Sequence, residues 1–460
     1  ARKTSIHPDL GVYMNRHSTL TCYLIIILAA ITGNFCVPGG NVIPGTLMPI
    51  VGHSDEREEK TWRTVETGFP ALCGLFPPNV MPEEIMSGRP DRLRAVMCCQ
   101  ANPLRSFADT AAYEKAFSSL DLLVVCDVAM TETAAMAQYV LPARTGYESW
   151  DGTFFPWTWP EIYFQMRRPV VEPEGEPLEL GEIHMRIADS MGFIQEIPQG
   201  LYAAAKENRL KFGMELINYV KDNPSAMKVM PFIVMKTLGR EMGSGNLANL
   251  WAMLMNAPGG FKKSAVRAGF AKGPLIGEEI FKAIIDHPEG LWIGKSDPED
   301  NFSDLSTEDK KINVLIPEME EWLAEIEPGR EKAALAQDRK YPFILSSGRH
   351  MNYNANTIMR DPAWNEGKRA CTCIISREDA DNLGLKDGDM IRVTTEAGSV
   401  EVEAEITART RSGYVMIPHG FGLVHQGKTY GVNANLLAKN THRDRFAGTP
   451  FHRHIPCRIE

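Results

Sequence analysis

The sequence predicts an α/β chain in three parts: a Rossmann-like parallel sheet, a helical insertion, and a mostly β carboxyl-terminal domain. Three observations carry that expectation. Residues 90–145 alternate short apolar runs with helical stretches, residues from about 182 to 286 turn helical and rich in Met, and from Tyr341 the pattern becomes period-two alternation punctuated by turns. At 460 residues the chain has room for two or three domains that each bury a core. Divided on these patterns, residues 1–190 form the α/β region, 191–335 the helical insertion and linker, and 336–460 the β domain.

The elements follow in order. The apolar run Leu20 to Ile31 is too short to cross a bilayer and stops at Thr32-Gly33-Asn34, which predicts a buried core helix. Behind it, "GNFCVPGGNVIPG" holds four glycines and two prolines, a composition suited to backbone that must come close to something. "LRAVMCC", "DLLVVCD" and "YVLPA" read as strands, separated by the helices "TAAYEKAFSSL" and "TETAAMAQ". Ligands of such sheets sit at the carboxyl ends of strands, here Asn102-Pro103 and Asp127. In the middle third, Met residues read as core filler or as a partner-docking surface, and Asp297 to Glu308 as an acidic linker or surface loop. Towards the end, "PFILSSG", "DMIRVTTEAG" and "GYVMIPHGFG" read as strands. "VEVEAEIT" alternates strictly, with Val400, Val402, Ala404 and Ile406 on one face, and together these strands predict a small barrel.

Bulk properties exclude several functions. Lys plus Arg total 49 against 58 Asp plus Glu, and a net charge of -9 without a basic stripe argues against a nucleic-acid surface. Nine scattered cysteines, an odd number, read as thiols of a reducing and therefore cytoplasmic setting. Cys98-Cys99 and Cys371-Thr372-Cys373 lack the spacing that zinc or iron–sulfur ligation favours. There is no nucleophile elbow, no phosphate loop ending in Gly-Lys-Ser, no Gly-x-Gly-x-x-Gly after the first strand and no metal-ligand cluster.

What remains is a set of loops suited to a phosphate-rich ligand. The first is the glycine loop, with Gly39, Gly40 and Asn41; the second is Gln100 to Arg105, where Asn102 donates and accepts and Arg105 offers a planar fork. Gly348-Arg349-His350 with Asn356 and Thr357 is the third, and His419-Gly420 with Asn435 the fourth. Asp127 has two readings of equal weight: a ribose or guanine acceptor, or a carboxylate at the amino end of the Thr131 helix. Taken singly, each loop is ordinary turn chemistry.

In this order, however, the loops resemble the latter part of the catalytic subunit of molybdopterin oxidoreductases, the dimethyl sulfoxide reductase superfamily. "ITGNFCVPGGN" is similar to that family's TGN and PGGN loop, and "QANP" with "VVCDVAMTETAAMAQYVLPARTGYE" to its strand, TETA and VLP segments. "ILSSGRH", "ISREDADNLGLKDGDMIRVTTEAGSVE" and "GYVMIPHGFG" resemble its dinucleotide-binding domain, which implies a double-psi β-barrel. The resemblance covers most of residues 10–190 and 340–460. It implies that the four loops and Asp127 surround a bis-molybdopterin guanine dinucleotide carrying molybdenum or tungsten. The metal ligand and an iron–sulfur cluster are then expected on an amino-terminal half or partner chain, with electron-transfer subunits beyond. The implied reaction is two-electron chemistry on a small substrate such as formate or polysulfide; a non-catalytic cofactor-binding subunit is the alternative. Where formate dehydrogenases carry an arginine before the TGN loop, this sequence has Tyr23, so Arg16, His17 and Tyr23 are the candidates on the substrate side.

Overall fold

The computed structural model describes residues 3–42, 58, 60–153, 160–303, 305, 307–335, 339–349, 356 and 360–460. The apolar run forms α1 (Ser18–Ile31), but not as a buried core helix. Leu24, Ile26, Leu28 and Ile31 are exposed, the last at 76%. The physical reason is one-sided packing: Leu20 and Tyr23 meet Met319 and Trp322 of the helix Pro317–Ala324. Its start is fixed by a residue 426 positions away. Asp444, fully buried, accepts from Ser18 Oγ at 2.7 Å, Thr19 Oγ1 at 2.8 Å and Thr19 N at 3.0 Å. Phe446 N and Ala447 N complete its shell. Burial pushes this carboxyl up, and the five donors outweigh burial and hold it below the usual carboxylate range.

Strands β1 (Ala95–Cys99), β2 (Leu122–Asp127) and β3 (Tyr139–Pro142) form a parallel sheet in that order, with Ala95 opposite Leu122 and Val124 opposite Tyr139. Between β1 and β2 runs α2 (Thr110–Ser118), capped by the Asp109 carboxylate on Ala112 N, which buries Tyr113, Ala116 and Phe117 against Ile85, Leu123 and Val125. The expected helix over "TETAAMAQ" shrinks to a 3-10 turn at Ala134–Met136. Thr133 and Glu132, which would open that helix, are drawn instead to Asn102 and Arg360. The acidic stretch read as a linker is in part a short helix, Pro298–Ser303, tied down by Arg267 and Asp300.

The helical region has its own core, running from Ile162 to Ile293 and centred on Phe212, Leu250, Trp251, Leu254, Ile280 and Ile284. Each such side chain contributes about 1.5–3 kcal/mol on burial. An antiparallel pair, Glu161–Phe164 with Leu291–Lys295, joins the region's beginning to its end. Met235 is core filler: a Cβ on Gly245 would come within 2.5 Å of its Cε. Met214 and Met227 are exposed.

At the carboxyl end, β4 (Phe343–Gly348), β5 (Thr372–Ser376), β6 (Met390–Thr394), β7 (Ser399–Thr407), β8 (Tyr414–Pro418) and β9 (Ile455–Ile459) close a barrel in the order β6-β7-β5-β8-β4-β9. Val400, Val402 and Ala404 of β7 face its core, as their alternation predicts. One pairing positions the site. β4 and β8 run parallel, with Tyr414 opposite Ile344 and Pro418 opposite Gly348, so both strands end at the same rim. Gly348 allows that closeness, since a Cβ there would lie 2.2 Å from Met416 Sδ. Ala108 of the sheet region is buried within the barrel's core cluster, so the two regions share packing.

Candidate anion cradle

The segment after β1 is held by its own side chains. Asn102 is 4% exposed; its Nδ2 donates to Glu132 Oε2 at 2.7 Å and its Oδ1 accepts from Thr133 Oγ1 at 2.9 Å. Glu132 also receives Arg360 Nη1 at 2.7 Å, Arg360 Nη2 at 3.1 Å and Val424 N at 2.8 Å. Burial opposes the charge on this carboxylate, yet the donors hold its pKa at about 2. Asn102 and Glu132 therefore form a satisfied knot between sheet and barrel, and Pro103 opens the short helix Pro103–Ser106 behind it. Asn433 Nδ2 donates to Leu104 O at 3.2 Å and Thr110 Oγ1 at 2.8 Å, and Asn435 Nδ2 to Arg105 O at 2.7 Å, which welds the same segment to the barrel loop.

Next to this weld, at the shared rim of β4 and β8, lies a cavity of about 200 Å³. Arg105, Arg349 and Arg453 line it with His419, His452, Asn356 and Asn435; Leu10 and Met14 form its apolar side. None of the described residues lining it is a carboxylate. Arg105 Nε donates to Gly422 O at 2.7 Å, Arg349 Nη2 to Asn356 Oδ1 at 3.4 Å, and Arg453 Nη1 to Ser347 O. Buried Arg453 Nε and His452 Nε2 have no hydrogen-bond partner among the described residues. Burial, and then the neighbouring Arg349 and Arg453, push His419 down to about 4; burial, His419 and Arg453 do the same to His452. Burial and Arg349 also lower the Arg453 guanidinium. Clustered cations with no carboxylate among the described lining residues, beside buried polar atoms without a described partner, are the features of a site shaped for an anion.

Of the loop residues singled out in the sequence, Arg349, Asn356, His419 and Asn435 come together here, with Gly348 ending β4 just before Arg349 and Gly420 in the bend after His419. His350 and Thr357 lie outside the described residues. Gly39, Gly40 and Asn41 do not line the cavity. A Cβ on Gly40 would fall 2.2 Å from Asn34 O, so this glycine serves the loop's own closure, while Asn41 brackets Ile6 through Oδ1 at 2.9 Å and Nδ2 at 2.7 Å. Asp127 turns onto its own backbone at Val128 N, 2.7 Å; burial raises its pKa and that bond opposes the shift. With no Thr131 helix formed, its second reading loses its partner.

The substrate-side candidates are engaged elsewhere. Arg16 Nη2 meets Glu331 at 3.1 Å, His17 Nε2 meets the same carboxylate at 3.0 Å, and Trp322 Nε1 donates to His17 Nδ1 at 3.1 Å. Tyr23 Oη donates to Val314 O at 2.7 Å. Arg453, His452 and Asp444 were not singled out in the sequence. The signal for the first two was there, in the run "HRH" just before the last apolar strand.

Comparison with known proteins gives this geometry a lineage. Residues 11–189 match the molybdopterin oxidoreductase family and residues 343–456 the molydopterin dinucleotide binding domain. The chain belongs to the molybdopterin oxidoreductases. It is 28% identical over 416 residues to subunit alpha of F420-dependent formate dehydrogenase 2 from Methanococcus maripaludis, covering 86% of this chain and 50% of that protein. It is 25% identical to trimethylamine-N-oxide reductase of Haemophilus influenzae, covering 91% and 49%. The solved structure of acetylene hydratase from Pelobacter acetylenicus has a similar fold, with a TM-score of 0.55 at 17% identity over 85% of this chain and 48% of that one. The chain thus spans about half the length of the relatives it matches.

The dinucleotide that the family binds carries phosphates, and the cavity fits them. Arg453 Nε is a donor and His452 Nε2 a donor or acceptor, both without a partner among the described residues, and the arginines supply charge. A volume near 200 Å³ takes a phosphate-sized group, not a whole dinucleotide. Among the described residues no His, Cys, Asp and Glu group could hold a metal ion, and no helix is long and apolar enough to cross a membrane.

Proposed function

We propose that this chain is the cofactor-binding half of a molybdenum or tungsten oxidoreductase that carries bis-molybdopterin guanine dinucleotide. The observation that supports it most is the cavity of Arg105, Arg349 and Arg453 at the rim of the dinucleotide-binding domain, with no carboxylate among the described residues that line it. Arg349 and Arg453 would bind phosphate oxygens, Asn356 and Asn435 would orient neighbouring polar groups, and the Asn102–Glu132 knot would keep sheet and barrel in register around them. The bound group supplies two-electron redox chemistry at its metal. The half of the relatives' length that this chain does not span would bring the metal ligand and an iron–sulfur cluster, and the aliphatic residues exposed on α1 give such a partner an apolar face to cover. Formate and oxidised nitrogen or sulfur compounds are the substrate classes suggested by the names of the relatives.

Metal analysis of the native, anaerobically purified protein tests this, with molybdenum, tungsten and iron counted per chain and all copurifying chains identified. Molybdenum or tungsten with iron and a second polypeptide supports an oxidoreductase half. Cofactor without turnover, even when the partner is present, would mean a structural cofactor-binding subunit instead, and absence of both metal and partner overturns the proposal.

A further inference from the structure

We propose that His419 and His452 are proton acceptors coupled to anion binding: each stands neutral when no anion is bound, and takes one proton from solvent when a phosphate-type anion enters the cavity. The inference rests on reading the cavity as a phosphate cradle and adds how that cradle is charged.

The geometry imposes it. Three guanidiniums already line about 200 Å³, and no described lining residue offers a negative charge. Arg349 beside the β4 end and Arg453 before β9 act on His419, and His419 and Arg453 act on His452; Arg105 lines the same space from the short helix Pro103–Ser106. Asp9 is the acid nearby, and it acts on Arg453. Adding two imidazoliums to this set would bring five positive charges together in one small space, where each disfavours the charged form of the others. The histidines relieve this by remaining neutral, which agrees with the low values near 4 that burial and the arginines impose.

An entering anion reverses each of these terms. It offsets the guanidiniums, so a proton on imidazole gains an attractive partner beside the groups that repel it. His452 has the equipment for the exchange: it is 7% exposed, and its Nε2 has no partner among the described residues, so that nitrogen can accept a proton and then donate it to an anion oxygen. By linkage, protons taken up on binding make the anion bind more tightly as pH falls. A cradle of this kind grips its phosphate with more charge than it carries when alone.

Inorganic sulfate is the probe, because it carries no proton of its own in the working range. Its affinity for the full chain, produced without the dinucleotide cofactor, is measured by calorimetry from about pH 8 to about pH 5.5, in two buffers of different ionisation enthalpy. Expected is net proton uptake of up to about two per sulfate, and affinity rising up to about tenfold per pH unit for each proton taken up. His419→Gln with His452→Gln should flatten that slope, with sulfate still held by the arginines; the buffer comparison on the unsubstituted chain gives the answer even if the double variant does not fold. Sulfate binding with no proton uptake, or with the slope intact in the double variant, overturns the inference and leaves the cradle standing. No sulfate binding at any pH removes the cradle as well.

Discussion

Two polar clusters meet at the segment after β1, and they differ in one respect. Around Asn102, every charge has its partner: Glu132 receives Arg360, Val424 and Asn102. A few residues on, around Arg105, three arginines and two histidines face a cavity that no described carboxylate lines. Both clusters are built from the residue types that bind phosphates and nucleotides. The difference lies in whether the chain has answered its own polar groups. A satisfied cluster holds structure together, and an unsatisfied one is shaped for something that arrives.

That contrast is sharpest under mutation. Glu132→Ala should cost the most, about 3–5 kcal/mol, because it strands Arg360 and the buried Asn102 amide; a drop in the urea midpoint measures it, and an unchanged midpoint would break the distinction. Acidification comes second and acts on the other cluster. His419 and His452 are held near 4 when folded, against about 6.5 for an unfolded histidine, so the unfolded chain binds more protons between those values. Without a bound anion, stability should be full above about pH 6.5 and fall below it by up to about 1.4 kcal/mol per pH unit per histidine. Equilibrium unfolding at several pH values reads this, and the His419→Gln, His452→Gln variant should lack that part of the loss.

Smaller still in stability, but large in binding, is Arg453→Met. Removing one of several uncompensated cations should change stability by no more than about 1 kcal/mol while sulfate affinity drops by about tenfold or more. If the variant unfolds instead, Arg453 belongs with the structural cluster. The least effect is expected from Tyr23→Phe, about 0.5 kcal/mol, because its hydroxyl bonds Val314 O in an exposed setting; a loss of several kcal/mol in chemical denaturation would give that bond a weight its surroundings do not.

The same contrast marks the limit of what the sequence shows. Period-two alternation placed β7, and the strand, helix and strand of the parallel sheet follow from short apolar runs, because these patterns are local. Asn102 and Arg349 look alike as loop residues with donors to offer, and only the fold reveals that the first is answered by Glu132 and Thr133 while the second faces the cavity. The family resemblance suggested Arg16 and His17 for a substrate funnel, and Glu331, more than three hundred residues on, pairs with both. The apolar run of α1 predicted burial correctly for Leu20 and wrongly for Ile31, since hydrophobicity says that a face wants covering and not whether a neighbour covers it.

The anchor of α1 sets an order of events during synthesis. Ser18 and Asp444 are 426 residues apart, so at roughly 5–20 residues per second the helix waits about 20 to 85 s for the carboxylate that fixes its first turn. Leu24, Leu28 and Ile31, exposed even in the folded chain, spend that interval on a segment not yet anchored. A nascent chain with such a stretch is a natural client for a chaperone, and a truncation before Asp444 would leave α1 in that state for good.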